Sequence, residues 1–332
     1  AGARPGPVSY RRGGTEPTVT DANVIMGRID PDFFLGGAMS LDAAGARAAV
    51  RERVARPLGL GDDEAALGIA RVATSRMAGA IRLSLFEKGL DPEDFTLLSF
   101  GGASGLHACE TAEEIGIGRV VFPRDPGTLS AWGMLYSDIV HALARARLMK
   151  ADAAALPALS AIIDDLAGEA RRMLDRDGVP ADAQVLPVFL DMRYPGQAYE
   201  IQVPLERPDG LAEAVDRFHD RHMAQYAHAE RHVVPEIVAV RIAATGRLAK
   251  PVERAPEPVQ GGPPKSRRRV LVADGWRECP VLDRSRLAPG AAHDGPLIVE
   301  EEHATHLVPP GWSLAVAPTG DLVATRMPGG RP

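Results

Sequence analysis

The stretch LLSFGGASGLHA, Leu97 to Ala108, joins a short apolar run to a helical one through Gly101 and Gly102. A strand that ends in two glycines and enters a helix exposes bare backbone and free N–H groups, which a flat or anionic ligand can approach closely. Nucleotide contact is the functional reading. A tight strand-to-helix turn without a ligand is the alternative, because a double glycine is far less specific than a full phosphate-loop pattern. His107 follows in the first helical turn, where the N-terminal potential favours a neutral imidazole that either orients a ligand or packs. A second candidate is GGTEPTVTDAN, Gly13 to Asn23, in which Asp21 can hold a metal or a water and Thr18 or Thr20 can bond a phosphate or substrate oxygen. Asp21 can equally cap its own turn by accepting backbone N–H groups.

Two further groups invite a metal reading. His219, His222, His228 and His232 lie on or just after one helix at spacings that can align imidazoles, but no cysteine or carboxylate pattern completes a ligand set, which favours a solvated helix face. EEEHATH, Glu300 to His306, mixes acids and imidazoles, and three adjacent acids before a strand read as surface. No metal site is assigned. No Ser/His/Asp arrangement is legible, and neither Cys109 nor Cys279 has a nucleophile's surroundings or a zinc spacing.

The elements that must position these residues divide the chain. From Asp62 to Gly89 apolar residues recur every four positions (Ile69, Ala73, Met77, Ile81, Leu85), predicting a long helix that Asp62 or Asp63 caps and Gly89 closes. Another helix is read over Leu41 to Pro57. Strand, glycine turn and helix follow over Phe95 to Ile115, then a strand at Arg119 to Phe122 and a helix from Thr128 to Ser137, the alternation of an α/β domain. Beyond about Lys150 come an Ala/Leu-rich helix (Leu156 to Leu174), a strand pair (Gln184 to Met192 and Ala198 to Val203) around Arg193–Gln197, a helix (Leu211 to Ala229) and a strand (Glu236 to Ala243). The boundaries so drawn are residues 1–150, an α+β region at 151–248, a Pro-rich linker at 249–268 and a small β-rich module at 269–327.

Composition excludes some classes. With 332 residues, 45% of them hydrophobic and 25% charged, the chain can build two cores. A net charge of −6 leaves no broad basic face for nucleic acid. No apolar run is long enough to span a membrane, no signal peptide is visible, and two isolated cysteines fit a reducing compartment, so a cytoplasmic protein is expected. The opening AGARPGP, without a Met, reads as the continuation of something earlier, a fragment or processed piece.

Taken together, PGPVSYRRGGTEPTVTDANVIMGRID (Pro5 to Asp30), FFLGG (Phe33 to Gly37), EKGLDPEDFTLLSFGGASGLHA (Glu87 to Ala108), PGTLSAWGMLYSD (Pro126 to Asp138), DMRYPGQAYEIQVP (Asp191 to Pro204) and GPLIVEEEHATHLVPPGW (Gly295 to Trp312) resemble the hydantoinase A / 5-oxoprolinase family, which includes the ATP-binding subunit of acetone carboxylase. The resemblance implies an α/β fold: residues 1–150 as part of an actin- and sugar-kinase-like ATPase lobe, followed by the α+β region and the β-rich module. It assigns Gly101, Gly102 and Ala103 to the adenosine-binding element and Ala131 and Gly133 to the helix that connects the lobes. The phosphate loops of such a core lie upstream, so this chain alone is expected to bind ATP poorly. Asp21, Thr20 and His107 remain the catalytic candidates.

The implied chemistry is ATP-driven opening of a small cyclic amide: the γ-phosphoryl group activates a ring carbonyl, Mg²⁺ neutralises the phosphates and water attacks. The implied partner is a hydantoinase B-type subunit or domain. The sequence departs from the family pattern at Ser104-Gly105, where a glycine-proline pair is usual, at Ser9 for a common cysteine and at Leu90 for a frequent histidine. Two other functions compete, an ATP-dependent ketone carboxylase subunit and a non-catalytic assembly module.

Overall fold

The structure is a computed structural model that describes residues 2, 4–207, 209–252 and 261–329. Residues 253–260, the middle of the expected linker, lie outside the described residues. In chain order the elements are α1 (Val19–Ile25), α2 (Ala43–Val50), α3 (Asp62–Phe86), β1 (Leu97–Leu98), α4 (Ala108–Ile115), β2 (Arg119–Phe122), α5 (Leu129–Met134), β3 (Ile139–Lys150), α6 (Leu156–Arg176), β4 (Gln184–Val185), β5 (Val188–Arg193), β6 (Ile201–Leu205), α7 (Leu211–Tyr226), β7 (Glu236–Gly246), β8 (Ser266–Val272), β9 (Gly275–Asp283), β10 (Ala292–Asp294), β11 (Leu297–Glu300), β12 (Thr305–Val308), β13 (Trp312–Val316) and β14 (Leu322–Arg326). They form two compact units, Ala1–Trp132 with Glu253–Pro332, and Gly133–Val252.

The first unit departs from the boundaries drawn from sequence. The stretch 269–327 does not stand apart as its own module: β14 pairs antiparallel with β2, Leu322 opposite Phe122 and Thr325 opposite Arg119. The resulting sheet has the order β1-β2-β14-β13-β10, with β1 and β2 parallel. A second sheet, β12-β11-β9-β8, packs its apolar residues with the first: Leu297, Val299 and Val308 share a core with Phe122, Trp312, Leu314 and Leu322. Burying both strand sets together removes more apolar surface from water than a module of about sixty residues can alone.

Helix α3 runs 25 residues, as its spacing predicts, but Gly61 precedes its first residue without a side-chain cap. Asp62 and Asp63 instead pair with Arg51 and Arg47. Its buried positions are Ala65, Ala66, Ala70, Thr74 and Ala78, small residues that let α1 and α4 approach closely. After α2 the backbone widens into a π-type turn over Arg51–Ala55 before ending at Gly59, where the predicted helix reached Pro57.

The second unit is an antiparallel sheet, β3-β7-β5-β6, with helices packed on it. Leu159, Ile163, Leu166, Ala170 and Leu174 of α6 recur at helical spacing and are buried against Leu190, Val240 and Ile242. Pro187, which has no N–H to donate, falls in the gap between β4 and β5, so the single strand read over Gln184 to Met192 is two. Sequence patterning assigned no element to β3, the longest strand, because Ala142, Arg145, Leu148 and their neighbours are all good helix formers. It pairs with β7 along ten residue pairs from Ile139–Gly246 to Lys150–Glu236.

Candidate functional site

The residues singled out around Gly101 converge in the first unit on one segment, Glu300 to His306, which turns from β11 into β12. Four glycines from three loops face it. A Cβ on Gly102 would lie 2.7 Å from the His303 carbonyl oxygen, one on Gly105 2.2 Å from His306 Nδ1, one on Gly36 3.0 Å from Glu302 Cγ and one on Gly127 3.4 Å from His303 Cβ. Glycine at 102 is therefore required by the protein's own backbone as well as open to a ligand. Gly101 adopts φ +90°, and its N–H donates to Pro126 O at 2.7 Å.

The acids of this segment were read as surface, and two of them are not. Glu300 is 3% exposed and lies between two cations, accepting from Lys265 Nζ at 2.9 Å and Arg268 at 2.6 Å. Arg268 also reaches Asp30 at 2.7 Å, and Lys265 Nζ sits 3.1 Å from the Phe33 ring centroid. A carboxylate so deeply placed needs such partners, since burial of an unpaired charge is prohibitive. Glu301 accepts from His306 Nε2 at 2.5 Å and from Arg284 at 3.4 Å, and Arg284 donates onward to Gly320 O at 2.8 Å. The His306 ring packs at a tilt against Phe122, centroids 4.6 Å apart, and burial pushes its pKa down. No alternation along the strand signals this: all four residues of β11 are buried, and Glu300, opposite Thr305, lies on the other face of the sheet from His306, opposite Val299.

A cavity of about 210 Å³ opens between this segment and the double glycine. Gly102, Ala103, Tyr10, Phe33, Phe34 and Thr20 are among its walls, and Tyr10 packs on Phe34 with ring centroids 5.5 Å apart. Leu35, also in the wall, holds φ +52°, a conformation that costs a side chain about 1–2 kcal/mol. Asp30, Glu300, Glu301 and Glu302 line the cavity, and no Lys or Arg does. A neighbouring cleft of about 670 Å³ shares Phe33 and Glu301 to Ala304 and adds Arg124, Thr128 and Arg284.

Of the catalytic candidates, Thr20 reaches the cavity wall. Asp21 is fully buried and fully used: its carboxylate accepts from the N–H groups of Ser9 (2.8 Å), Val8 (3.2 Å) and Thr18 (2.8 Å), and Thr18 caps α1 in return. That is the capping role weighed for it above. His107 is buried with Nε2 3.1 Å from Asn23 Nδ2, and burial, with Arg28 beside it, pushes its pKa down. Its Nδ1 and the Asn23 Oδ1 have no hydrogen-bond partner among the described residues. Arg28, wholly buried, locks the start of α4 through Glu110 at 2.6 and 2.9 Å.

Of the four histidines read as a solvated helix face, His228 and His232 are exposed and the other two are not. His219 and His222 are 3% and 0% exposed. Tyr194 Oη and His219 Nδ1 are hydrogen-bonded at 2.6 Å, and Gln197 Nε2 donates to His222 Nε2 at 2.9 Å. These bonds fasten α7 to the Arg193–Gln197 turn. Among the described residues no group of three or more His, Cys, Asp or Glu side chains is placed to hold a metal. Both thiols are buried, Cys279 pushed up to about 11 by desolvation and Cys109 also raised, which makes them poor nucleophiles. No helix among the described residues is long and apolar enough to cross a membrane.

With this geometry in hand, comparison with known proteins is decisive. The Hydantoinase/oxoprolinase family model matches residues 1–143, and the Hydantoinase/oxoprolinase C-terminal domain model matches residues 147–318. The chain belongs to the hydantoinase/oxoprolinase family. It is 35% identical to caprolactamase subunit alpha of Pseudomonas jessenii over 98% of its length and 48% of that protein's. It is 28% identical to 5-oxoprolinase 1 of Arabidopsis thaliana over 97% of its length and 27% of the relative's. The crystal structure of ATP-dependent caprolactamase from Pseudomonas jessenii superposes with a TM-score of 0.79 at 34% identity, covering 98% of this chain and 49% of that one. A nucleotide-free acetone carboxylase structure shares the fold, with a TM-score of 0.80 at 23% identity. The chain thus spans about half the length of the caprolactamase subunit it matches.

Proposed function

We propose that this chain is the C-terminal part of the nucleotide-binding subunit of an ATP-dependent enzyme that opens a cyclic amide, and that the cavity beside Gly102 and Ala103 takes the adenosine end of ATP. The observation that carries the reading is the cavity's lining. Aromatic rings and bare glycine backbone suit a flat, neutral base, whereas the cations beside these walls, Lys265, Arg268 and Arg284, are already held by Glu300, Asp30 and Glu301 and are not offered to a triphosphate. The phosphates therefore find their donors outside these walls, in an ATPase lobe of the sugar-kinase type to which this chain contributes the adenosine side.

In the proposed reaction the ring carbonyl oxygen takes the γ-phosphoryl group and ADP leaves. Water adds to the activated carbon, the ring C–N bond breaks as the nitrogen takes a proton, leaving an acyl phosphate, and a second water hydrolyses it to the carboxylate and phosphate. Mg²⁺ would accompany the phosphates; among the described residues no ligand set of three or more His, Cys, Asp or Glu side chains is placed for it. The relatives named as subunits support a hetero-oligomer, and the family supplies a B-type subunit as the proposed partner.

Calorimetry on the 332-residue chain with adenosine and with Mg²⁺–ATP tests the site. Adenosine should bind, ATP should bind no more tightly, and Gly102→Val should remove both signals. Much tighter binding of ATP would place the phosphate donors in this chain, against the reading; no heat with either ligand would sink it in favour of an assembly module.

A further inference from the structure

The wholly buried Asp21 carboxylate bonds to two segments at once. With Thr18 it caps α1, and it also reaches outside the helix, where Oδ1 accepts the Ser9 N–H at 2.8 Å and Oδ2 the Val8 N–H at 3.2 Å. Val8 and Ser9 open a single 3₁₀ turn, Val8–Tyr10, and the first N–H groups of such a turn find no acceptor within it. Ser9 is fully buried, so its N–H has no water to bond instead.

The turn does not support itself. No side chain of its own caps its start, and it ends on Arg11 at φ +55°, a left-handed backbone that a residue with a side chain keeps only where the surroundings impose it. It is held from outside, by Asp21 at its start and by the Asp42 N–H, which donates to Ser9 O at 2.9 Å. What the turn presents is Tyr10, whose ring lies in the cavity wall against Phe34 with the Arg12 guanidinium 5.9 Å from its centroid. Thr20, the residue before Asp21, is in the same wall. Each end of the Ser9–Asp21 bond is thus flanked by a residue that faces the cavity.

We infer that Asp21 is a positioning residue: by bonding the Val8 and Ser9 N–H groups it sets the Tyr10 ring as the platform on which the base stacks. The stacking rests on the adenosine reading of the cavity; the setting of the ring does not. A carboxylate is required, because Asp21 accepts at both oxygens and an asparagine would turn an NH₂ group toward one set of donors. Backbone released at Ser9 lets the Tyr10 ring leave the wall, so the loss falls on the ligand as well as on the fold.

Fluorine NMR of the 332-residue chain labelled with 3-fluorotyrosine tests the setting of the ring, with one signal for each of the five tyrosines and Tyr10→Phe to identify that of residue 10. Asp21→Asn should shift or broaden that signal and leave the other four. Calorimetry with adenosine should show about tenfold weaker binding for Asp21→Asn and for Tyr10→Leu, and no further loss when the two are combined. A carboxylate that served the fold alone would lower the melting temperature without singling out the Tyr10 signal, and its effect would multiply with that of Tyr10→Leu to about a hundredfold. Either result overturns the inference. No binding of adenosine by the wild-type chain fails the nucleotide reading instead, and the fluorine signal alone then decides whether Asp21 sets the ring. If Asp21→Asn does not fold, Thr18→Val, which removes the hydroxyl that donates to Asp21 at 2.9 Å, is measured in its place against the same outcomes.

Discussion

His306 donates its Nε2 proton to Glu301 at 2.5 Å, while its Nδ1 lies so close to Gly105 that even a methyl group there would have no room. The pair fixes one tautomer: Nε2 carries the hydrogen and Nδ1 keeps its lone pair against the glycine Cα–H. A second proton on the ring would be buried at Nδ1 without an acceptor.

That arrangement sets the pH dependence of stability. His306, His107 and His219 all have pKa values lowered by burial from the ordinary 6.5. The unfolded chain therefore binds more protons than the folded one below about 6.5, so their stabilising contribution is whole above that value and is lost as pH falls toward the lowered ones. The melting temperature should be flat from pH 8 to 7 and decline toward pH 5, and His306→Gln should make the decline shallower. An unchanged slope in that variant would mean that His306 titrates normally.

Glu300 holds two cations whose other partners are few. Glu300→Ala should cost about 3 kcal/mol by leaving Arg268 and Lys265 without their shared carboxylate, measured by urea unfolding. Lys265→Met, which removes the more exposed member, should cost clearly less. Equal losses would show that Glu300 stabilises by packing alone.

The glycines should separate by cause. Gly105→Ala meets a buried ring and Gly102→Ala meets backbone, so each should destabilise by about 2–3 kcal/mol. Gly101→Ala meets nothing within 4 Å and pays only for φ +90°, about 1 kcal/mol. Circular dichroism melts of the three variants decide the order, and a larger loss for Gly101→Ala would reverse it.

How much was legible depended on the physics behind each element. The β2 strand stands where its apolar run put it, and α6 runs two residues past the predicted end, because periodicity reports burial directly. The Asp21 cap was foreseen as one of two readings, since Thr-x-x-Asp is a local pattern. Glu300, His219 and His222 were misplaced because their burial depends on partners 32, 25 and 25 residues away, Arg268, Tyr194 and Gln197, which no local window contains. The long β3 was missed for a related reason: its pairing with β7, about a hundred residues on, overrides the helix preference of its alanines and arginines. At the site, the glycine motifs were visible, but the segment they surround was recognisable only once the two ends of the first unit were brought together.

The pairing of β14 with β2 gives the first unit a high contact order. Thr325 must find Arg119 across some two hundred residues, and the whole of Gly133–Val252 intervenes. Closing so long a loop is entropically slow, whereas the intervening unit draws its strands and helices from one continuous stretch. During synthesis the second unit can fold as soon as it emerges, but the first must wait for nearly its last residues. Assembly of the candidate site, whose Glu300–His306 segment follows Gly133–Val252 in sequence, thereby waits until the second unit has been made.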